Sequence, residues 1–159
     1  MNVFDILGPV MIGPSSSHTA GAARIGRITL ALLGSPAVKA DIFLHGSFAK
    51  TYKGHGTDKA LIAGIMGMST DDSRIRRAPE LAREQGLAVT ITTGDIDGAH
   101  PNTARVALTD ADGNRVSLLG SSIGGGNILV TEVNGMEVSI TGQHTTLIVL
   151  HRDAPGTIA

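Results

Sequence analysis

The stretch Ile128-Leu129-Val130-Thr131-Glu132-Val133-Asn134-Gly135-Met136-Glu137-Val138-Ser139-Ile140-Thr141 carries the least ambiguous structural signal in the chain. Apolar and polar side chains alternate on both sides of Asn134-Gly135, and Asn-Gly tolerates the positive φ angles of a two-residue type I′ turn. The stretch predicts a β-hairpin with strands over 128–133 and 137–141. Toward the N-terminus the period of two persists. Strands are expected at 105–109 and 115–119, joined by a turn at Asp112-Gly113, and another at 87–93. Ahead of that the period lengthens to 3.6. Ala22, Ile25, Ile28 and Leu32 line one face of a helix over 19–33, which Gly34 and Pro36 stop. Gly21, Ala22, Ala23 and Gly26 make this helix thin enough to lie close to a neighbouring backbone. Residues 38–44 read as a strand and 45–56 as a glycine-rich segment. Thr57 reads as the N-cap of a short helix over 60–66, and 79–85 as a helix with proline early and Gly86 as its stop. A helical first half followed by antiparallel strands predicts an α+β fold, with helices packed on one face of a mostly antiparallel, mixed sheet.

The chain ends less regularly. Residues 146–150 read as a strand, and His151-Arg152-Asp153 and Ala154-Pro155-Gly156 lead out of it. Residues 145–159 are either the front edge of a second module or a ragged tail. His-Arg-Asp here is not a kinase catalytic loop, because the other kinase elements are missing.

Composition narrows the function. With 3% aromatic residues and no Trp, the core must be built from Ala, Val, Ile and Leu. A formal net charge of −1 offers no electrostatic case for nucleic acid or an anionic membrane. Apolar runs such as 147–150 are too short to span a bilayer, and no secretory pattern opens the chain. Cysteine is absent, which excludes disulfides and a thiolate catalyst in this chain and fits a cytoplasmic location. An iron–sulfur cluster associated with this chain would need thiolates from another chain. The six histidines include no pair at i,i+3 or i,i+4, so no metal site is expected from this chain alone.

Four segments carry candidate chemistry. Gly13-Pro14-Ser15-Ser16-Ser17-His18-Thr19 opens the first helix, where free N–H groups and a partial positive charge favour an anion. Ser15, Ser16, Ser17 and Thr19 either bind such a ligand or cap the helix. Lys53-Gly54-His55-Gly56-Thr57-Asp58-Lys59 places a histidine between glycines, suited to proton transfer near neutrality. Lys53 suits a carboxylate, and the alternative is a flexible turn with surface charge. His100-Pro101-Asn102-Thr103 offers Asn102 as donor and acceptor, or serves as turn punctuation. In Gly120-Ser121-Ser122-Ile123-Gly124-Gly125-Gly126-Asn127, Gly124 and Gly125 form either a backbone nest for an anion or a bend between strands.

Together and in this order, GPSSSHT, GSFAKTYKGHGTDKA, HPNT and GSSIGGG resemble the β subunit or β domain of bacterial iron–sulfur L-serine dehydratase. The resemblance covers nearly the whole chain; Tyr52 departs from it, standing where the family usually has glycine. It implies a β domain over 1–144 and, over 145–159, a linker or the start of an ACT-like regulatory domain. It also implies an α chain whose cysteines hold a 4Fe–4S cluster, a Lewis acid toward L-serine in its conversion to pyruvate and ammonia. Under this resemblance His55 is the base, and His18 with Ser15, Ser16, Ser17, Thr19, Lys53, Thr57, Asn102, Gly124 and Gly125 lines the substrate site at the interface. The fold is also similar to the allosteric substrate-binding domain of some D-3-phosphoglycerate dehydrogenases. That similarity implies a second reading, a regulatory module binding serine or phosphate without chemistry. An exposed partner face extends the expectation to a homodimer.

Overall fold

The computed structural model describes residues 16–144 and 146–149, the side chains of Ser16 and Ser17 excepted. Among these residues the chain forms α1 (Ser16–Leu33), β1 (Ala37–His45), α2 (Gly46–His55), α3 (Thr57–Ile65), a 3-10 turn (Ser73–Arg77), α4 (Ala78–Glu84), β2 (Ala88–Gly94), β3 (Thr103–Asp110), β4 (Arg115–Gly124), β5 (Asn127–Val133) and β6 (Met136–Ile140). The strands form one sheet in the order β2-β1-β3-β4-β5-β6. β1 and β2 pair in parallel, and every other pairing is antiparallel. The parallel pair needs a long crossover, which the helices between β1 and β2 supply. The fold is α+β, as the change of period predicts.

Alternation decides which sheet face is covered. Ala40, Ile42 and Leu44 on β1, Ala104, Val106 and Leu108 on β3, and Ile128 and Val130 on β5 are buried beneath the helices. Their neighbours Asp41, Phe43, Arg105 and Ala107 are half-buried or exposed on the other face. α1 lies across β3, β4 and β5 and packs against α3. That helix pair is held at backbone contact by glycine: a Cβ on Gly26 would stand 2.5 Å from the Leu61 carbonyl oxygen, and one on Gly64 would strike the Ala23 carbonyl. The Asn134-Gly135 turn has φ of 50° and 81°, as its sequence requires.

Three local expectations change. Residues 46–55 are helical rather than a loop, because Phe48 is fully buried and anchors the turn. Thr57 is the first residue of α3 rather than its cap; Gly56, at φ 74°, is both the C-cap of α2 and the N-cap of α3. Residues 146–149 are not in a strand, while Thr145 and residues 150–159 lie outside the described residues.

Candidate functional site

The site is assembled from the first turns of α1, the α2–α3 junction and the loop before β3. β1 ends at His45, and the chain turns into α2 through Gly46 at φ 60°. A Cβ there would stand 2.6 Å from the Pro101 carbonyl oxygen and 2.8 Å from its Cα, so only glycine permits this approach. The same carbonyl accepts hydrogen bonds from the Ser47 N–H at 2.7 Å and the Phe48 N–H at 3.3 Å. It thereby satisfies two of the donors that a helix start leaves unpaired. The Ser47 hydroxyl is thus fixed at the start of α2, where its Oγ lies 3.2 Å from Nε2 of His18.

His18 is buried, about 9% exposed. Its ring meets His55 edge-on at a centroid separation of 4.8 Å and lies 5.5 Å from Phe48. Burial lowers the His18 pKa from its ordinary value of 6.5, and repulsion from His55 lowers it further. A neutral His18 therefore faces an exposed His55 at the end of α2.

The other segments adjoin this pair. The Ser122 N–H donates to the Asn102 carbonyl at 2.9 Å, and the Thr103 and Ser121 hydroxyls lie 2.7 Å apart. Ser122 also packs against Gly21 of α1, where a Cβ would clash with it. Contacts therefore run from His55 through His18, Ser47 and Pro101 to Asn102, Ser122 and back to α1. Among the described residues, three polar atoms in or beside this network, Thr57 Oγ1, Asn102 Oδ1 and Ser122 Oγ, are buried without a hydrogen-bond partner. Such atoms are uncommon in folded proteins, and here they leave hydrogen-bonding capacity at the site.

The candidate residues do not all meet. His18, His55 and Asn102 belong to the network; Thr19 is buried beside His18 on α1, and Thr57 begins α3 next to the His55 turn. The Lys53 ammonium instead stands 5.7 Å over the Tyr52 ring, and both residues line a different cleft with Asp58 and Arg83. Gly124 pairs with Asn127, and Gly125 and Gly126, at φ 59° and 78°, form the two-residue turn between β4 and β5. The bend between strands is thus the arrangement observed. The Gly126 carbonyl accepts a 2.9 Å hydrogen bond from Arg24. Ser15 and the side chains of Ser16 and Ser17 lie outside the described residues. Ser47 and the Pro101 carbonyl also belong to the site; both lie in strings singled out in the sequence, GSFAKTYKGHGTDKA and HPNT, but neither was given a role there. Among the described residues no group of three His, Cys, Asp or Glu side chains could hold a metal ion, and no helix is long and apolar enough to cross a membrane.

Comparisons with known proteins bear on this site. The serine dehydratase beta chain family profile matches residues 2–94. The chain is 49% identical over 158 residues to a probable L-serine dehydratase beta chain of Bacillus subtilis, covering 99% of this chain and 71% of that protein. It is 39% identical over 159 residues to the L-serine dehydratase beta chain of Peptoniphilus asaccharolyticus, covering 99% and 72%. An L-serine dehydratase of Mycobacterium bovis is 31% identical over 175 residues, with 94% of this chain aligned to 36% of that longer protein. The profile extends over more than half of the chain and takes in His18, Ser47 and His55, and the two beta chains align along almost all of it: the chain belongs to the serine dehydratase beta chain family.

Proposed function

We propose that this chain is the β subunit of an L-serine dehydratase and that it brings the His18–His55 pair to an active site shared with an α chain. The contact between a buried neutral imidazole and an exposed one, 4.8 Å apart, carries the proposal. Elimination of water from L-serine requires removal of a weakly acidic Cα proton, and a positioned imidazole contributes about 10²–10⁴-fold to such a transfer. His55 takes that proton. His18, held at Nε2 by Ser47, disfavours a second charge nearby and orients the substrate. The β-hydroxyl leaves, giving aminoacrylate, which hydrolyses to pyruvate and ammonia. The side-chain oxygens of Asn102 and Thr57, without a hydrogen-bond partner among the described residues, are the groups assigned to the substrate's ammonium and carboxylate.

The 4Fe–4S cluster implied by the resemblance does not fit this chain's own residues, which include no cysteine and, where described, no metal-holding group. Its ligation is assigned to the α chain, and no step assigned to this chain passes through it. The reading is tested by anaerobic reconstitution with the cysteine-bearing partner. Serine turnover is expected from the assembled pair and not from this chain alone. Tight binding of serine or phosphate to this chain alone, with turnover unaffected by the loss of either histidine, would favour a regulatory module instead.

A further inference from the structure

His45 ends β1 and occupies the N-cap position of α2, yet among the described residues its side chain makes no capping bond to that helix. Ser, Thr, Asp or Asn usually fills such a position and serves the helix's free N–H groups. Here the Pro101 carbonyl serves them instead, from a loop over 95–102 that enters β3. The His45 ring reaches that same loop. Its Nδ1 accepts a 3.0 Å hydrogen bond from the Ile96 N–H. A ring nitrogen that accepts carries no proton, so the geometry assigns His45 as neutral with its proton on Nε2. The Asp95 carboxylate, 93% exposed, stands 3.7 Å from the same nitrogen, beyond hydrogen-bond range. The hold on Ile96 extends along the loop through further bonds. The Ala99 N–H donates to the Ile96 carbonyl at 3.2 Å, the Asn102 N–H to Nδ1 of His100 at 3.1 Å, and the Thr103 hydroxyl to the His100 carbonyl at 2.6 Å. Pro101 lies inside this braced stretch.

We propose that His45 is a positioning residue for the His18–His55 pair: by accepting from Ile96 it holds the 95–102 loop where Pro101 caps α2 and Ser47 meets His18. The proposal rests on the shared active site proposed above, and His45 itself touches none of the reacting atoms. The chain of contacts is short. Ile96 is held by His45, Pro101 is braced against Ile96 through Ala99, His100 and Thr103, and the Pro101 carbonyl fixes the Ser47 and Phe48 N–H groups at the start of α2. Ser47 Oγ then stands 3.2 Å from Nε2 of His18. Because β1 delivers both His45 and α2, the residue that gives up capping its own helix secures the loop that caps it. What this role requires is an acceptor at the Nδ1 position, not an imidazole as such. Asparagine places its side-chain oxygen near that position, and glutamine places one near Nε2 instead.

The test uses the full chain assembled with its α partner, as wild type and as H45N, H45Q, D95N and H55N, with amide hydrogen exchange and serine turnover as readouts. In H45Q the Ile96 amide is expected to exchange about tenfold faster, with the Ser47 and Phe48 amides following it, and kcat/KM to fall about tenfold, the scale of one lost hydrogen bond. H45N is expected to recover most of both, which a side chain that only filled space would not do. D95N is expected to change neither, because the Asp95 carboxylate takes no part in the hold on Ile96. Nitrogen-15 NMR of the wild-type chain is expected to show Nδ1 of His45 unprotonated at pH 7, a measurement that requires no variant to fold. A ring protonated at Nδ1 and paired with Asp95, Ser47 and Phe48 amides equally protected in H45Q and wild type, undiminished turnover in H45Q, or an H45N no better than H45Q would each overturn the proposal. Failure of the shared active site is seen separately, as normal turnover in H55N.

Discussion

His55 and His18 have different surroundings, so their substitutions separate. Replacing His55 with Asn leaves little buried contact to lose; the expected result is a kcat lower by about 10²–10⁴ with α-chain association unchanged. Near-normal turnover would remove it from the chemistry. For His18 the expectation concerns pH. Its folded pKa lies below 6.5, so the unfolded chain binds the extra proton first on acidification. The stability linked to neutral His18 is complete above its ordinary pKa and is lost as pH falls through the folded value. Melting temperature should therefore drop as pH falls below the ordinary histidine value of about 6.5, and less steeply in H18N. Identical slopes would contradict the placement of His18. Ser47→Ala deletes a 3.2 Å hydrogen bond and should cost about 0.5–1.5 kcal/mol in denaturant unfolding, with Ser47→Thr recovering part of it.

Helix-to-helix contact sets the next scale. The thin helix read from Gly21, Ala22, Ala23 and Gly26 does meet a neighbouring backbone, and Gly64 on α3 completes the contact. Gly64→Ala should destabilise by about 1–3 kcal/mol through overpacking. Gly54→Ala, where a Cβ meets nothing within 4 Å, should be neutral or stabilise by up to about 1 kcal/mol. Equal effects in thermal unfolding would mean that α1 and α3 do not touch as described. α2 shows why propensity misleads at this scale. Gly46, Gly54 and Gly56 suggest a loop, yet burial of Phe48 and capping by Pro101 outweigh the cost of one interior glycine. In the strands the sequence is a better guide, because alternation and the Asn-Gly and Asp-Gly turns are local properties. At the β3–β4 turn Asp110 accepts from the Ser35 hydroxyl and from Asn114, and these bonds lower its pKa.

At the scale of the molecule, segments dispersed over more than a hundred residues converge near the ends of β1 and β3. The sheet order accounts for this: β3 lies beside β1, so the loop entering β3 meets the helix leaving β1, and β4 brings Ser121 and Ser122 under α1. Lys53 was legible as a basic residue near His55, but the helical twist of α2 carries it to the Tyr52 cleft on the β2 side. At this scale the prediction is assembly: under the proposed shared active site, the chain alone should give no serine turnover. Recovery on adding the α chain, read as pyruvate formation, checks it.

The sequence by itself determined the fold class, the hairpins and the family, because periodicity, turn chemistry and unusual motif strings are properties of neighbours along the chain. Only the tertiary structure decided that His18 meets His55, that Ser47 holds His18, and that Pro101 acts through its carbonyl. Those contacts depend on strand order and close backbone approach, and neither is encoded within any single window of the chain.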